Sequence, residues 1–191
     1  MLPLDVSVQY SVRTPEEVLH FWFEQLTPQQ WFEKNEAVDE ALRTNFVATH
    51  LSLARLELDP WRLSAAKRLA ALLVLDQFSR NIYRGTALAF ATDWIALSEA
   101  RTALDLGADL MVPPEHRSFF YLPFEHSERL EDQDLSVELF TKLGDAHYLD
   151  YAERHREVIR EFGRFPHRNA LLGRASTVAE LDYLSRPGAG F

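Results

Sequence analysis

The chain has 191 residues, 47% of them hydrophobic, and carries 20 Lys or Arg against 29 Asp or Glu, a formal net charge of −9. This length and composition are typical of one globular domain with a sizeable core, not of a disordered segment. The lack of cysteine excludes disulfides, thiol nucleophiles and zinc-finger or iron–sulfur ligation, and the acidic balance argues against a general nucleic-acid-binding role.

Capping signals and apolar spacing predict helices almost throughout. Thr14-Pro15-Glu16-Glu17 combines an N-cap, a proline at the first helical position and a capping-box glutamate, and Thr177 with Glu180 repeats that box near the end. The predicted helical segments run over about 15–26, 35–58, 64–78, 86–106, 127–143 and 146–162, with one from Pro113 interrupted near Pro123 and a short one after Thr177.

No segment shows sustained strand alternation, so the predicted fold is all-α. It should contain about eight to ten helices joined by short loops, which favour antiparallel pairs that are either bundled or stacked as a short solenoid. We expect an N-terminal extension over 1–13, a single domain over 14–185 and a flexible tail over 186–191.

Membrane and export signals are missing from the sequence. The start, MLPLDVSVQYSVR, has no basic segment followed by an apolar one, so no signal peptide is predicted. The longest wholly apolar run, Leu69–Leu75, is far shorter than the roughly 20 residues of a membrane span. We therefore expect a cytoplasmic protein without membrane contact.

The basic residues are almost all arginine, and six of them lie between residues 154 and 174 against two glutamates, a local charge of +4. Arginine pairs bidentately with carboxylate and phosphate groups. Two loops in the chain share an aromatic-Arg-Asn pattern, FSRN at 78–81 and FPHRN at 165–169. If they converge, they form an anion site; the alternative is that these arginines only cap helix ends and pair locally, as Asp76 and Arg80 are spaced to do.

His126-Ser127-Glu128 is a second candidate for chemistry. The imidazole and the carboxylate could act as acid and base or as two metal ligands, with His155 or His167 completing the set, or all of these could form a structural polar network, which is the interpretation we favour. No metal or cofactor is predicted. The candidate catalytic residues are His126 and Glu128, and the candidate ligand-binding residues are Arg80, Asn81, Arg84, His126, Glu128, Gln133, Arg164, His167, Arg168, Asn169 and Arg174.

Three sequence blocks also carry a family resemblance. LDQFSRNIYRG at 75–85, YLPFEHSE at 121–128 with Gln133, and FGRFPHRNALLGRAST at 162–177 resemble the signature blocks of the bacterial domain of unknown function 924 family, as does the aromatic start with HFWF at 20–23. The resemblance spans about residues 15–185. It implies an all-α fold similar to tetratricopeptide repeats in a right-handed superhelix, and it implies no catalytic residues. Ser79 stands where the family pattern leads us to expect proline.

Three functions remain open at this point. The first is a binding module whose arginines hold an anionic small molecule or an acidic peptide, and this is the reading we favour. The second is a hydrolase or transferase that acts on a phosphorylated or acidic metabolite. The third is a scaffold or homodimer without a small-molecule site, for which an exposed apolar face would be the sign.

Overall fold

The computed structural model describes residues 11–190, and within that range the chain is helical and contains no strand. The predicted all-α class is confirmed, whereas the tetratricopeptide-like superhelix stays a prediction. Most of the predicted N-terminal extension, residues 1–10, and the last residue of the predicted tail, Phe191, lie outside the described residues.

Eight helices can be traced through residues 11–190. Two of them change pitch along their length: α1 joins Pro15–His20 to a π-helical segment, Phe21–Gln25, and α3 joins Ala65–Leu72 to a π-helical segment, Leu73–Phe78, and a last α-helical turn, Ser79–Ile82. The others are α2 (Glu36–Ala54), α4 (Asp93–Asp105), α5 (Ser118–Glu125), α6 (Leu130–Leu143), α7 (Ala146–Phe162) and α8 (Val178–Leu184).

The capping signals set several helix ends as predicted. At both Thr14 and Thr177 the hydroxyl oxygen accepts from the backbone N–H three residues on, and the capping-box glutamate accepts from the backbone N–H of the threonine. Gly163 ends α7 with a φ of 68°, a left-handed conformation that suits glycine.

Two predicted helix starts were wrong, because in each case a short turn precedes the helix. The Thr86 hydroxyl donates to the carbonyl of Tyr83, a short 3-10 turn follows, and α4 begins only at Asp93. The Ser127 hydroxyl donates to Asp132, and α6 begins at Leu130. The Ser127 oxygen still accepts from the backbone N–H of Arg129, so it caps the turn that leads into α6 and not the helix itself.

Helix α3 occupies the centre of the core, as its apolar sequence predicts. Every residue from Leu69 to Ser79 is buried, and the helix packs against α1, α2, α4 and α5. Helix α5 is buried along its whole length, and α6 packs against both α5 and α7. Across residues 11–190, no helix has the length and apolar character that a membrane span requires. The C-terminal ends of α3 and α5 lie together at one side of this core, where they meet α7 and the loop after it.

Candidate functional site

A pocket of about 400 Å³ opens where these ends meet. Its floor includes the buried side chains of Gln77, Glu125 and Arg168. Its mouth includes the aromatic rings of Phe32 and Tyr151, which are 51% and 37% exposed. The pocket is therefore polar and charged at depth and aromatic where it meets solvent.

The two Arg-Asn loops meet in this pocket. Arg80, in the last turn of α3, donates two hydrogen bonds to the carboxylate of Asp93, at 3.0 and 3.2 Å. Arg168, in the 3-10 turn Pro166–Arg168, donates to the same carboxylate at 3.3 Å. Asp93 is the first residue of α4, so one carboxylate at a helix start joins arginines from distant parts of the chain.

Arg168 is held in an unusual setting for a guanidinium group. Its Cζ lies 4.6 Å from the ring centre of Phe90 and 4.5 Å from that of Phe165, so cation–π contacts flank it. Its buried Nε has no hydrogen-bond partner among residues 11–190. Burial and the nearby charge of Arg80 lower the pKa of Arg168 to about 10, and it stays protonated at neutral pH. A ligand acceptor would meet an unsatisfied donor here.

The π-helical segment of α3 supplies the next group, a buried pair of Asp76 and His126. Asp76 Oδ1 lies 2.8 Å from His126 Nδ1 and 3.2 Å from Arg80 Nη1. Burial would raise the pKa of Asp76, but the charge of Arg80 and the hydrogen bond from His126 outweigh it and hold that pKa well below its ordinary value. Because an ionised carboxylate only accepts hydrogen bonds, His126 must donate from Nδ1. In the neutral ring, Nε2 then carries the lone pair.

Glu125 and His155 form the second buried pair. The nearer Glu125 oxygen, Oε1, lies 3.3 Å from His155 Nδ1, while Oε2 is buried without a hydrogen-bond partner in the described part of the chain. Burial and the negative charge of Asp76 raise the pKa of Glu125 to about 8. Glu125 is therefore mainly a neutral carboxylic acid at pH 7, able to donate a proton.

Three of the histidines that line the pocket, His126, His155 and His167, have pKa values below the ordinary value, so they are mainly uncharged at neutral pH. Burial and the charge of Arg80 lower the pKa of His126, and burial and His126 lower that of His155 well below its ordinary value. Burial and Arg168 lower the pKa of His167 to about 4, in the direction expected from its sequence neighbours. We call Asp76, Arg80, Asp93, Glu125, His126 and Arg168 the pocket cluster.

Five of the predicted ligand-binding residues do not line the pocket. Arg164 forms a two-pronged pair with Glu180, and Arg174 forms one with Glu128. Asn169 accepts from Arg174, which ties the loop after α7 to itself. We call Glu128, Arg164, Asn169, Arg174 and Glu180 the loop clamp.

Gln133, the fifth of these residues, is buried under the end of α5. Its amide nitrogen donates to the carbonyls of Glu125 and Ser127 at 2.6 and 2.7 Å. These bonds satisfy carbonyl groups that the helix end leaves without partners. Gln133 therefore fixes the backbone that carries Glu125 and His126, without reaching the pocket.

The remaining predicted residues, Asn81 and Arg84, line the pocket beside Arg80. Arg84 pairs with Asp39 of α2 at 2.6 and 2.8 Å and also donates to the side chain of Asn81. Asn81 in turn donates to the carbonyl of Gln77. Both residues brace the wall of the pocket, and their own polar groups already have partners.

Sequence reasoning missed Glu125, Asp93 and Phe90. Glu125 directly precedes His126. The sequence interpretation nevertheless paired His126 with Glu128, which lies at the predicted helix start. Asp93 offered a local signal as the first-turn acid of α4, had that helix start been placed correctly. Phe90 carries no sequence signal, since its role depends on Arg168 arriving from the other end of the chain.

Within residues 11–190, no group of three or more His, Asp or Glu side chains is placed to hold a metal ion. The site as it stands consists of two arginines, two ionised carboxylates, one neutral carboxylic acid and neutral imidazoles. That set can bind an anion, donate a proton and accept one.

Comparison with known proteins places the chain among bacterial relatives of unknown function. The family model described as a bacterial protein of unknown function, DUF924, matches residues 18–188. A solved structure, that of the protein of unknown function ATU0120 from Agrobacterium tumefaciens, is similar with 42% identity and a TM-score of 0.86, over 90% of this chain and 96% of that one. No curated protein matches the chain. These matches confirm the resemblance carried by the sequence blocks.

Proposed function

The chain belongs to the bacterial DUF924 family, which is described as being of unknown function. From the geometry of the site, we propose that the protein binds a small amphipathic organic anion in this pocket. The carboxylate or phosphate group of the ligand contacts Arg168 and Arg80. The apolar body of the ligand lies against the aromatic residues of the mouth.

The convergence of Arg80 and Arg168 on Asp93, with a buried donor of Arg168 left over, is the observation that carries this proposal. A buried ionised group without its full set of partners destabilises the folded chain unless something else gains from it. An anionic ligand accepts from that donor and adds charge-assisted bonds to a planar guanidinium.

Charge balance in the pocket cluster also favours an anion. The positive charges of Arg80 and Arg168 offset the negative charges of Asp76 and Asp93, while Glu125 is mainly neutral at pH 7. A neutral carboxylic acid at the floor donates to an anionic ligand, whereas an ionised one would repel it. A bound carboxylate therefore leaves the site with one net negative charge.

The size and lining of the pocket favour a small molecule over an acidic peptide. A volume of about 400 Å³ lies at the lower end of small-molecule sites, which run to roughly 1,000 Å³. Trp31, Phe32, Tyr148 and Tyr151 supply aromatic surface on one side. A cytoplasmic location and a homodimer are further expectations that the pocket does not bear on.

Calorimetric titration tests the proposal with two probes, inorganic phosphate and 3-phenylpropionate, which carries a carboxylate and a ring. We expect at least one probe to bind, and Arg168→Met to weaken it at least tenfold, which is the effect of losing about 1.4 kcal/mol of contact. Arg164→Met, a change in the same loop but in the loop clamp, is the matched control and keeps the affinity. Equal weakening by the two variants, or no binding of either probe to the wild type, contradicts the proposal.

A further inference from the structure

The pocket cluster contains more than anion binding needs. Arg80 and Arg168 suffice to hold a carboxylate, yet two further buried groups with opposite proton roles line the same cavity: His126, backed by Asp76, and Glu125. We propose, on the basis of the anion-binding function above, that His126 and Glu125 form a general base and a general acid that hydrolyse an ester of the bound anion, with water as the nucleophile.

His126 has the geometry of an oriented base. Its Nδ1 donates to Asp76 at 2.8 Å, which fixes both the tautomer and the plane of the ring. Asp76 is in turn held by Arg80, which contacts both its carboxylate and its backbone carbonyl. Nε2 of His126 has no hydrogen-bond partner in the described chain, and the side chain is 15% exposed where it lines the pocket. Asp76 and Arg80 act as positioning residues for this base.

Glu125 has the geometry of an acid. The carboxyl group is on the residue next to His126, its Oε2 is unpartnered, and its Oε1 faces His155 at 3.3 Å. His155 also lies beside His126, with 6.3 Å between ring centres, so the acid and the base share one neighbour. The charged and titratable groups around the pair are Asp76 and Arg80 from α3, Asp93 from α4, His155 from α7, and His167 and Arg168 from the loop after α7.

We assign water as the nucleophile, because the pocket, as described over residues 11–190, has no hydroxyl or thiol paired with a base. The side chains that line the described pocket include no serine or threonine, and the chain has no cysteine. An ester fits a site with one base and one acid, because its hydrolysis needs one proton removed from the nucleophile and one delivered to the leaving group.

The proposed step balances as follows. His126 Nε2 takes a proton from water as the water oxygen bonds to the ester carbon, and the carbonyl electron pair moves to the carbonyl oxygen, beside an arginine. The bond from carbon to the leaving oxygen then breaks, and the Glu125 carboxylic acid gives its proton to that oxygen. The products are a carboxylic acid and an alcohol. The proton on His126 returns to Glu125 through solvent, so no oxidant, reductant or other reactant is consumed.

Two monoesters of succinic acid test the proposal, because they differ in how much the leaving group needs a proton. The 4-nitrophenyl monoester releases a stable phenolate, whereas the benzyl monoester releases a strongly basic alkoxide. We expect the wild type to hydrolyse both, with a rate that rises with pH through the titration of His126 and, for the benzyl ester, falls above about pH 8 as Glu125 ionises.

Two variants assign the roles. His126→Gln should lower kcat at least about 100-fold on both esters with little change in KM. Glu125→Gln should lower kcat by a similar factor on the benzyl ester only, and should abolish the decline above pH 8. Glu128→Gln, three residues on and outside the pocket, is the control with both kcat values preserved.

The outcomes separate this inference from the binding proposal. Binding of 3-phenylpropionate without hydrolysis of either ester above the buffer rate overturns the catalytic inference and leaves the binding proposal standing. No binding and no hydrolysis overturns both. Hydrolysis that persists in His126→Gln, or a flat wild-type pH profile, also overturns the inference. The pH profile is measured on the wild type, so this test does not depend on the folding of a variant.

Discussion

The loop clamp and the pocket cluster contain the same kinds of side chain, but their ionic groups are satisfied to different degrees. In the clamp, Arg164 and Arg174 each donate from two nitrogens to one carboxylate, and each also donates to a backbone carbonyl. In the pocket cluster, Arg168 shares Asp93 with Arg80 and keeps a buried donor unused. The pairs of the clamp hold the loop together, whereas the unused donor of Arg168 belongs to a residue that lines the pocket, where the proposed ligand supplies an acceptor.

The contrast also changes how the basic segment 154–174 is understood. Its local charge of +4 is not available as a whole to one ligand, because Arg156 and Arg160 pair with Asp134 and two more arginines belong to the clamp. Arg168 alone among the six lines the pocket. Surface pairs of this kind contribute little to stability. The proposed anion binding therefore rests on one arginine of the segment and not on its summed charge.

Phe165→Ala should have the largest effect, because this residue belongs to both regions. Its ring is fully buried against Val158 and Ile159 and flanks Arg168, while its backbone bonds to Glu128 and Arg174. Truncation of a buried phenylalanine costs about 3–5 kcal/mol. Urea unfolding measures the loss, with Phe162→Ala, a partly buried neighbour, as the smaller control. A cost near 1 kcal/mol would mean that the two regions do not depend on this ring.

Glu125→Gln should change how stability depends on pH. The pKa of Glu125 is raised from an ordinary 4.5 to about 8, so between these values the unfolded carboxyl is ionised while the folded one keeps its proton. Stability of the wild type therefore falls as pH rises through this window, by at most about 1.4 kcal/mol per pH unit, and levels off above about pH 8.

Glutamine has no proton to lose, so the variant should gain on the wild type across the same window. Denaturant unfolding at pH 5 to 9 gives the difference directly. A constant difference across that range would show that Glu125 is ionised in the folded protein at neutral pH, and the acid role would fail with it.

Arg174→Gln and Arg168→Met compare the clamp with the pocket directly. Removal of Arg174 leaves the partly buried Glu128 without its main partner and should cost about 2 kcal/mol. Removal of Arg168 takes away a buried charge that is only partly satisfied, so the cost should stay under about 1 kcal/mol or reverse in sign. Thermal unfolding ranks the two, and titration with an anion should give the opposite ranking for affinity. If one variant lost more than the other in both stability and anion affinity, the proposed difference between the clamp and the pocket would be wrong.

Gly163→Ala and Gly144→Ala should give the smallest effect, about 1 kcal/mol each. Both glycines have positive φ, at 68° and 81°, and an added Cβ meets no atom within 4 Å, so the cost comes from the backbone alone. Only Gly163 leads into the loop that carries Arg168. We therefore expect equal stability losses but weaker anion binding in the Gly163 variant, measured by the same titration.

The helical fold was predictable because its signals are local. The threonine caps at 14 and 177, the Asp145 cap and the glycine stop at 163 each depend on neighbours within four residues. The starts of α4 and α6 were not predictable. The Thr86 hydroxyl bonds to the carbonyl of Tyr83 and the Ser127 hydroxyl to Asp132, and helix propensities do not indicate such contacts. The π-helical segment of α3 likewise has no periodicity signal, because every position in it is buried.

The residues of the candidate site likewise divide into those that the sequence indicates and those that only the tertiary fold brings into place. Arg80, His126, His167 and Arg168 were named from sequence, and all four line one pocket. The choice between Glu125 and Glu128 was not available from sequence, since the two carboxylates are three residues apart, at the last residue of α5 and just beyond it. Glu125 is buried by packing against His155 of α7, whereas Glu128 meets Arg174, and both contacts depend on the tertiary fold.

The π-helical segment Leu73–Phe78 has a consequence for any deletion within this helix. Each residue of a regular helix turns the chain by about 100° and advances it by about 1.5 Å. Deleting one residue between 73 and 78 would remove the extra residue that the wider π-helical turn accommodates, so a regular α-helix would form there with little net rotation of the turns beyond. The side chains within the segment would instead be redistributed around the helix axis, and Asp76 would lose its position between Arg80 and His126.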